Sequence, residues 1–203
     1  MAKMKKKGRP SQKEAEDAVR TLILWAGDDP DREGLRETPR RVVRSYREFF
    51  SGYQVNPEKL LQKFFLETNG YDEMVLLKDM RFESHCEHHI APIIGRAHIA
   101  YIPNKRVIGI SKMARLLDVY AKRLQIQEKM TAQIATTLDR VLQPLGVGVI
   151  VDASHQCMTT RGVHKPGTSM ITSHMLGSFR NQDSTRKEFL SLVGYSSLLH
   201  QPD

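Results

Sequence analysis

Apolar residues recur every three to four positions over the first third of the chain, and from about residue 71 they begin to alternate. Ala15, Ala18, Val19, Leu22, Ile23 and Ala26 predict a first helix. Ser11-Gln12-Lys13-Glu14 reads as a capping box at its start, and Gly27-Asp28-Asp29-Pro30-Asp31 ends it. A second helix is predicted from Thr38-Pro39, with an N-cap oxygen and proline at the first helical position. Its inward stripe is Val42, Val43, Tyr46, Phe49 and Phe50, and Gly52 stops it. A shorter third helix follows Asn56-Pro57, with Leu60, Leu61, Phe64 and Phe65 inward. These helices read as packing and oligomer surface.

Residues 74–82, 96–102 and 107–110 are predicted extended, with Gly95, Pro103 and Asn104 supplying turn chemistry. Two helices follow. One is capped by Ser111; the other carries Ile126, Met130, Ile134, Leu138 and Val141 on one face and closes at Pro144 and Gly146. Residues 147–153 form a strand leading into His155-Gln156-Cys157. A strand over 168–179 and a short helix over 184–193 complete the outline. Strands, two central helices and strands again predict an α+β fold with an antiparallel sheet. The expected organisation is a basic, disordered tail over 1–10, an N-terminal helical segment over 11–70, a catalytic domain over 71–196 and a tail over 197–203.

Composition narrows the class. At 203 residues the chain supports one sizeable core and is too short for two full enzymatic domains. Its 40% hydrophobic and 27% charged residues are those of an ordinary globular protein. No apolar run approaches the roughly 18 residues of a membrane span, and no hydrophobic region follows the basic start as a secretory signal would require. Two distant cysteines, each beside histidine, fit a reducing compartment. The expectation is a cytoplasmic protein with no membrane partner. The net charge of +8 falls to +3 once the five basic residues of 1–10 are set aside. That remainder suits a small polyanion as readily as nucleic acid, and no nucleic-acid partner is expected.

The chemistry is concentrated in two places. Both cysteines and four of the eight histidines lie in Ser84-His85-Cys86-Glu87-His88-His89 and His155-Gln156-Cys157. Thiolate and imidazole are preferred zinc ligands, and three protein ligands plus water make a catalytic site. Positions three apart converge in a turn, pairing Cys86 with His89. Positions two apart converge in a strand, pairing Cys86 with His88. Spacing leaves both open. In the second segment, His155 and Cys157 are expected to share one strand face. Ser111, Lys112 and Arg115 put a hydroxyl and two cations at a helix start, which suits phosphate. Gln127-Glu128 heads the next helix, where a fixed carboxylate beside an amide suits the N–H and NH₂ edge of guanine. Arg161 is one more candidate for an anionic group.

Taken together, these segments resemble GTP cyclohydrolase I. The run from Lys78 through Arg81-Phe82-Glu83-Ser84 to His89 is similar to that family's first signature. The run from Ala121 through Gln127-Glu128-Lys129-Met130 to Thr131 is similar to its second, and Arg161-Gly162 also fits. The resemblance covers about residues 34–193. It implies Cys86, His89 and Cys157 as ligands of one Zn²⁺ per subunit, and His88 and His155 as acid–base residues. It implies Ser111, Lys112, Arg115 and Arg161 as the triphosphate site, with Arg41 added, and Gln127 and Glu128 as the guanine-recognising pair. The implied reaction opens the imidazole ring of GTP, releases formate and gives 7,8-dihydroneopterin triphosphate for folate or tetrahydrobiopterin synthesis. The implied fold is the tunnelling fold, an antiparallel sheet with two helices on one face, here preceded by an N-terminal helical segment. The implied assembly is a toroidal homodecamer with sites at subunit boundaries.

Two rival classes fit less well. Zinc nucleoside deaminases pair His-x-Glu with a later Pro-Cys-x-x-Cys, and this chain has no Cys-x-x-Cys. A zinc-stabilised nucleic-acid module wants four closed ligands and interleaved aromatics.

Overall fold

The computed structural model describes residues 8–66 and 70–195. Most of the basic tail, and the tail over 197–203, lie outside the described residues. Contacts divide the chain into two compact units, residues 1–50 and 51–203.

The first unit is a pair of helices, α1 (Gln12–Trp25) and α2 (Thr38–Phe49). The capping box forms: Ser11 Oγ accepts from the Glu14 N–H at 3.2 Å, and the Ser11 N–H donates to Glu14 Oε2 at 2.7 Å. Thr38 does not cap α2. The preceding segment already turns, with the Thr38 N–H on the Leu35 carbonyl, so Glu37 becomes the N-cap and Thr38 lies inside the helix. Tyr46 and Phe49, expected inward, remain 42% and 41% exposed.

The second unit opens with a 3₁₀ turn over Ser51–Gln54 and the short helix α3 (Pro57–Leu61), capped by Asn56 Oδ1. Gly52 does more than stop a helix. A Cβ there would lie 2.2 Å from the Val119 carbonyl oxygen, so only glycine admits this close approach. The sheet contains β1 (Val75–Cys86), β2 (Pro92–Ile102), β3 (Leu124–Gln125), β4 (Gly146–His155) and β5 (Met170–Gly177), in the order β3-β1-β2-β4-β5. All pairings are antiparallel except β3 on β1, a two-residue parallel match of His85 with Leu124 and Cys86 with Gln125. Between β2 and β4 in sequence lie α4 (Ile110–Ala121) and α5 (Gln127–Leu142).

Alternation decides which face each helix covers. Phe82, Ile93, Ala97, Ile99, Tyr101, Val147, Val149 and Val151 point to one face, where they bury against Met113, Leu116, Leu117, Met130, Ile134 and Leu138. Each large side chain sealed there contributes about 1.5–3 kcal/mol. On the other face Ala100 and Ile150 meet Phe179 and Phe189, carried by α7 (Ser178–Asn181) and α8 (Asp183–Leu192). The fold is therefore α+β with two helices on one face of an antiparallel sheet, the tunnelling-fold arrangement.

Several local expectations are corrected. Residues 107–110 form no strand; Val107 makes only a bridge with Phe65, and the chain enters α4 at Ile110. Ser111 does not cap that helix, because Gly109 occupies the N-cap position without a side-chain bond. Phe65 is 64% exposed rather than inward, since α3 ends at Leu61. The first strand continues to Cys86, four residues beyond its predicted end.

Candidate active site

One end of the sheet gathers both metal-type segments. The last residue of β1 is Cys86, and Glu87, His88 and His89 form a tight turn closed by the Ile90 N–H on the Cys86 carbonyl at 2.8 Å. The chain then enters β2, where Ile93 pairs with Ser84 on one side and His155 on the other. Register across three strands thus carries His155 to the turn. Cys157 does not continue the strand: residues Gln156–Thr159 make one helical turn, α6, so His155 and Cys157 do not share a strand face.

Within this corner the ligand atoms of Cys86, His89 and Cys157 all lie within 4.8 Å of one another. Cys86 Sγ stands 3.9 Å from His89 Nδ1 and 3.7 Å from His88 Nδ1. The turn therefore brings both histidines toward the sulfur, but the set with mutual approach includes His89 and not His88. Burial pushes the Cys157 thiol above its ordinary range, the neighbouring Cys86 sulfur pushes it further, and the Arg161 guanidinium works the other way. A thiol whose ionisation is opposed by burial and by a neighbouring sulfur is a natural ligand for a cation, which reverses that penalty. Tetrahedral zinc bonded to sulfur and imidazole would set an S···N distance of about 3.5 Å. The 3.9 Å separation needs only a small contraction, so the donor set fits a metal.

The remaining candidates divide. The two-residue match of β3 with β1, and the Glu87 N–H on the Gln125 carbonyl at 2.9 Å, bring the start of α5 to the metal turn. Glu128 is exposed there and close enough to raise the His155 pKa, although burial is the larger influence and holds it below the ordinary range. Gln127 is fully buried, and its side-chain amide is engaged inside the protein. Ser111, Lys112 and Arg115 lie elsewhere. The chain leaves the metal corner along the 11 residues of β2 before α4 begins, and the Ile108 N–H bonds Tyr101 Oη near the far end of the sheet. From there α4 returns toward β3, leaving Ser111 about 15 Å from the helix end by axial rise. Arg115 instead borders a cleft with Gly52, Leu60, Asp118 and Lys122. Arg41 belongs to the first unit, exposed on α2.

The family model of GTP cyclohydrolase I matches residues 15–194. The chain belongs to the GTP cyclohydrolase I family. GTP cyclohydrolase 1 of Maricaulis maris is 57% identical over 91% of this chain and 90% of its own length. That of Sinorhizobium fredii is 54% identical over 92% and 91%. The apo form of the archaeosine synthase QueF-Like is also similar, at 21% identity and a TM-score of 0.43, covering 51% of this chain and 93% of its own. Family membership makes the chain a GTP cyclohydrolase with GTP as substrate. Sequence reasoning missed Thr131 and Thr172, whose hydroxyls meet at 2.7 Å beside Gln127. It also missed the Lys129–Glu87 ion pair that ties α5 to the metal turn at 3.4 Å. Only the register of the distant strand β5 could have revealed Thr172.

Proposed function

We propose that this chain opens the imidazole ring of GTP hydrolytically at C8 and yields formate and 7,8-dihydroneopterin triphosphate, using one Zn²⁺ per subunit at Cys86, His89 and Cys157. The observation that carries the reading is the convergence of two thiols and an imidazole beside His155 and Glu128 at one end of the sheet. Zinc in such a centre activates water for attack at neutral pH. His155, whose burial favours the neutral imidazole, takes up a proton and returns it to the purine nitrogen. His88, exposed on the metal turn, serves the ribose oxygen. Glu128 accepts from the guanine N1–H and NH₂ groups.

Ser111, Lys112 and Arg115 are assigned, with Arg161 and Arg41, to the triphosphate. Because α4 starts far from the metal corner of its own chain, a second copy supplies the first three, in keeping with a toroidal decamer having sites at subunit boundaries. We place the reaction in the cytoplasm, at the entry to pterin synthesis for folate or tetrahydrobiopterin. Formate release from GTP tests the activity, and metal analysis tests the centre. Cys157→Ala should lose zinc and turnover together, whereas His88→Ala and His155→Ala should keep zinc and lose turnover. Full zinc occupancy in the Cys157 variant would remove that residue from the ligand set.

A further inference from the structure

The resemblance casts Gln127 as a reader of guanine, yet its side chain is sealed from solvent. Its Nε2 lies 3.0 Å from the Val151 carbonyl oxygen and 2.7 Å from that of Met170, with Thr172 Oγ1 at 3.2 Å. Backbone carbonyls only accept, so the amide has one possible orientation: its NH₂ faces β4 and β5, and its Oε1 faces the other way. That oxygen lies 2.9 Å from His155 Nε2. A carbonyl oxygen cannot donate, so this contact requires a proton on His155 Nε2. Neutral imidazole carries one proton, and Nδ1 therefore keeps its lone pair. Thr131 completes the support: its Oγ1 bonds the Gln127 carbonyl and meets Thr172 Oγ1, both at 2.7 Å.

We propose that Gln127 is a positioning residue that locks His155 in the Nε2–H tautomer, presenting Nδ1 as the proton-exchanging atom, and that base recognition falls to Glu128 without it. The proposal rests on His155 being an acid–base residue of GTP cyclohydrolysis. Two acceptor carbonyls on adjacent strands set the amide, the amide sets the ring, and the ring sets the nitrogen that exchanges protons. The arrangement parallels a buried carboxylate that holds a catalytic imidazole in one tautomer, but a neutral amide does so without stabilising the imidazolium as strongly.

Neutron diffraction from deuterium-exchanged, zinc-loaded wild-type crystals tests the tautomer directly. Deuterium on His155 Nε2 facing Gln127 is expected; deuterium on Nδ1 with a bare Nε2 would overturn the proposal. This measurement is independent of turnover, so a failure of the GTP reading, seen as no formate release by wild-type enzyme, remains a separate result. Kinetics supply the second arm. Gln127→Met, of similar length and without donor or acceptor, should keep its zinc and lower kcat about 10- to 100-fold, with KM for GTP and the GTP-to-ITP preference little changed. A raised KM with lost preference for GTP over ITP would return Gln127 to base reading. Should that variant fail to fold, the wild-type neutron result decides alone.

Discussion

Adjacent residues can have opposite fates: Gln127 is sealed beneath the sheet while Glu128, one position on, is exposed beside His155. On the proposed reading Glu128, being exposed, meets the substrate base, and a carboxylate rejects a base that lacks the matching donors. Wild-type enzyme should use ATP very poorly and ITP less well than GTP. Glu128→Gln should reduce kcat/KM for GTP by at least about tenfold without affecting zinc content. Equal use of ITP and GTP by the wild type would refute recognition of the 2-amino group. His98 gives a second prediction at this scale. It is buried on the sheet face opposite α4 and α5, and its Nδ1 accepts from the Asp79 N–H at 3.2 Å. Burial lowers its pKa despite opposing pulls from Asp79 and Asp152, while Lys78 and Arg96 push the same way as burial. The unfolded chain therefore takes up this proton first. The stability contributed by neutral His98 is complete above about pH 6.5 and is lost as pH falls through the lower folded value. Urea midpoints at about pH 7.5 and about pH 5.5 should differ less for His98→Asn than for wild type.

Among the elements, β4 has little room for change at Gly148. A Cβ on Gly148 would sit 2.6 Å from Phe179 Cδ1 and 2.9 Å from Phe189 Cε1. Those rings pack edge to face at 5.4 Å and are fully buried. Gly148→Ala should lower stability by about 1–3 kcal/mol, read as a shift in the urea midpoint with unchanged zinc content. How far each element was legible depended on the range of the forces that fix it. The periodicity of α5 and the capping box of α1 are local, and both appear in the structure as the sequence predicts. Residues 107–110 misled because a short apolar run suits a strand or a helix entry equally well. The Cys86–His89 alternative was open because it depends on whether the strand ends at Cys86, which is set by pairing with β2 and β3. Gln127 was hardest: its partners Val151, Met170 and Thr172 lie 24 to 45 residues away.

For the molecule as a whole, a metal held by Cys86, His89 and Cys157 would join the end of β1 to the turn after β4, so removing it should have consequences beyond lost chemistry. With zinc bonded to both, the sulfurs of Cys86 and Cys157 would stand roughly 3.7–3.8 Å apart. Once the metal is chelated in air, dioxygen should take two electrons and two protons from the thiols and leave a disulfide, which requires modest further approach. Thiol titration should then fall from two to none per chain. Reductant followed by zinc should restore formate release, and zinc alone should not. Recovery with zinc alone from a proven oxidised state would contradict this.

The separation of α4's first turn from the metal corner has a genetic consequence. If each site takes its metal end from one subunit and its phosphate end from another, defects in the two parts should complement. Cys157→Ala and Lys112→Ala subunits, each inactive alone, would form mixed rings on co-expression in which some boundaries join two intact halves. Random mixing should recover roughly a quarter of wild-type turnover. Mixed with wild-type subunits, a subunit defective in one part alone should spoil only the boundaries to which it lends that part, so at equal expression about half the turnover should survive.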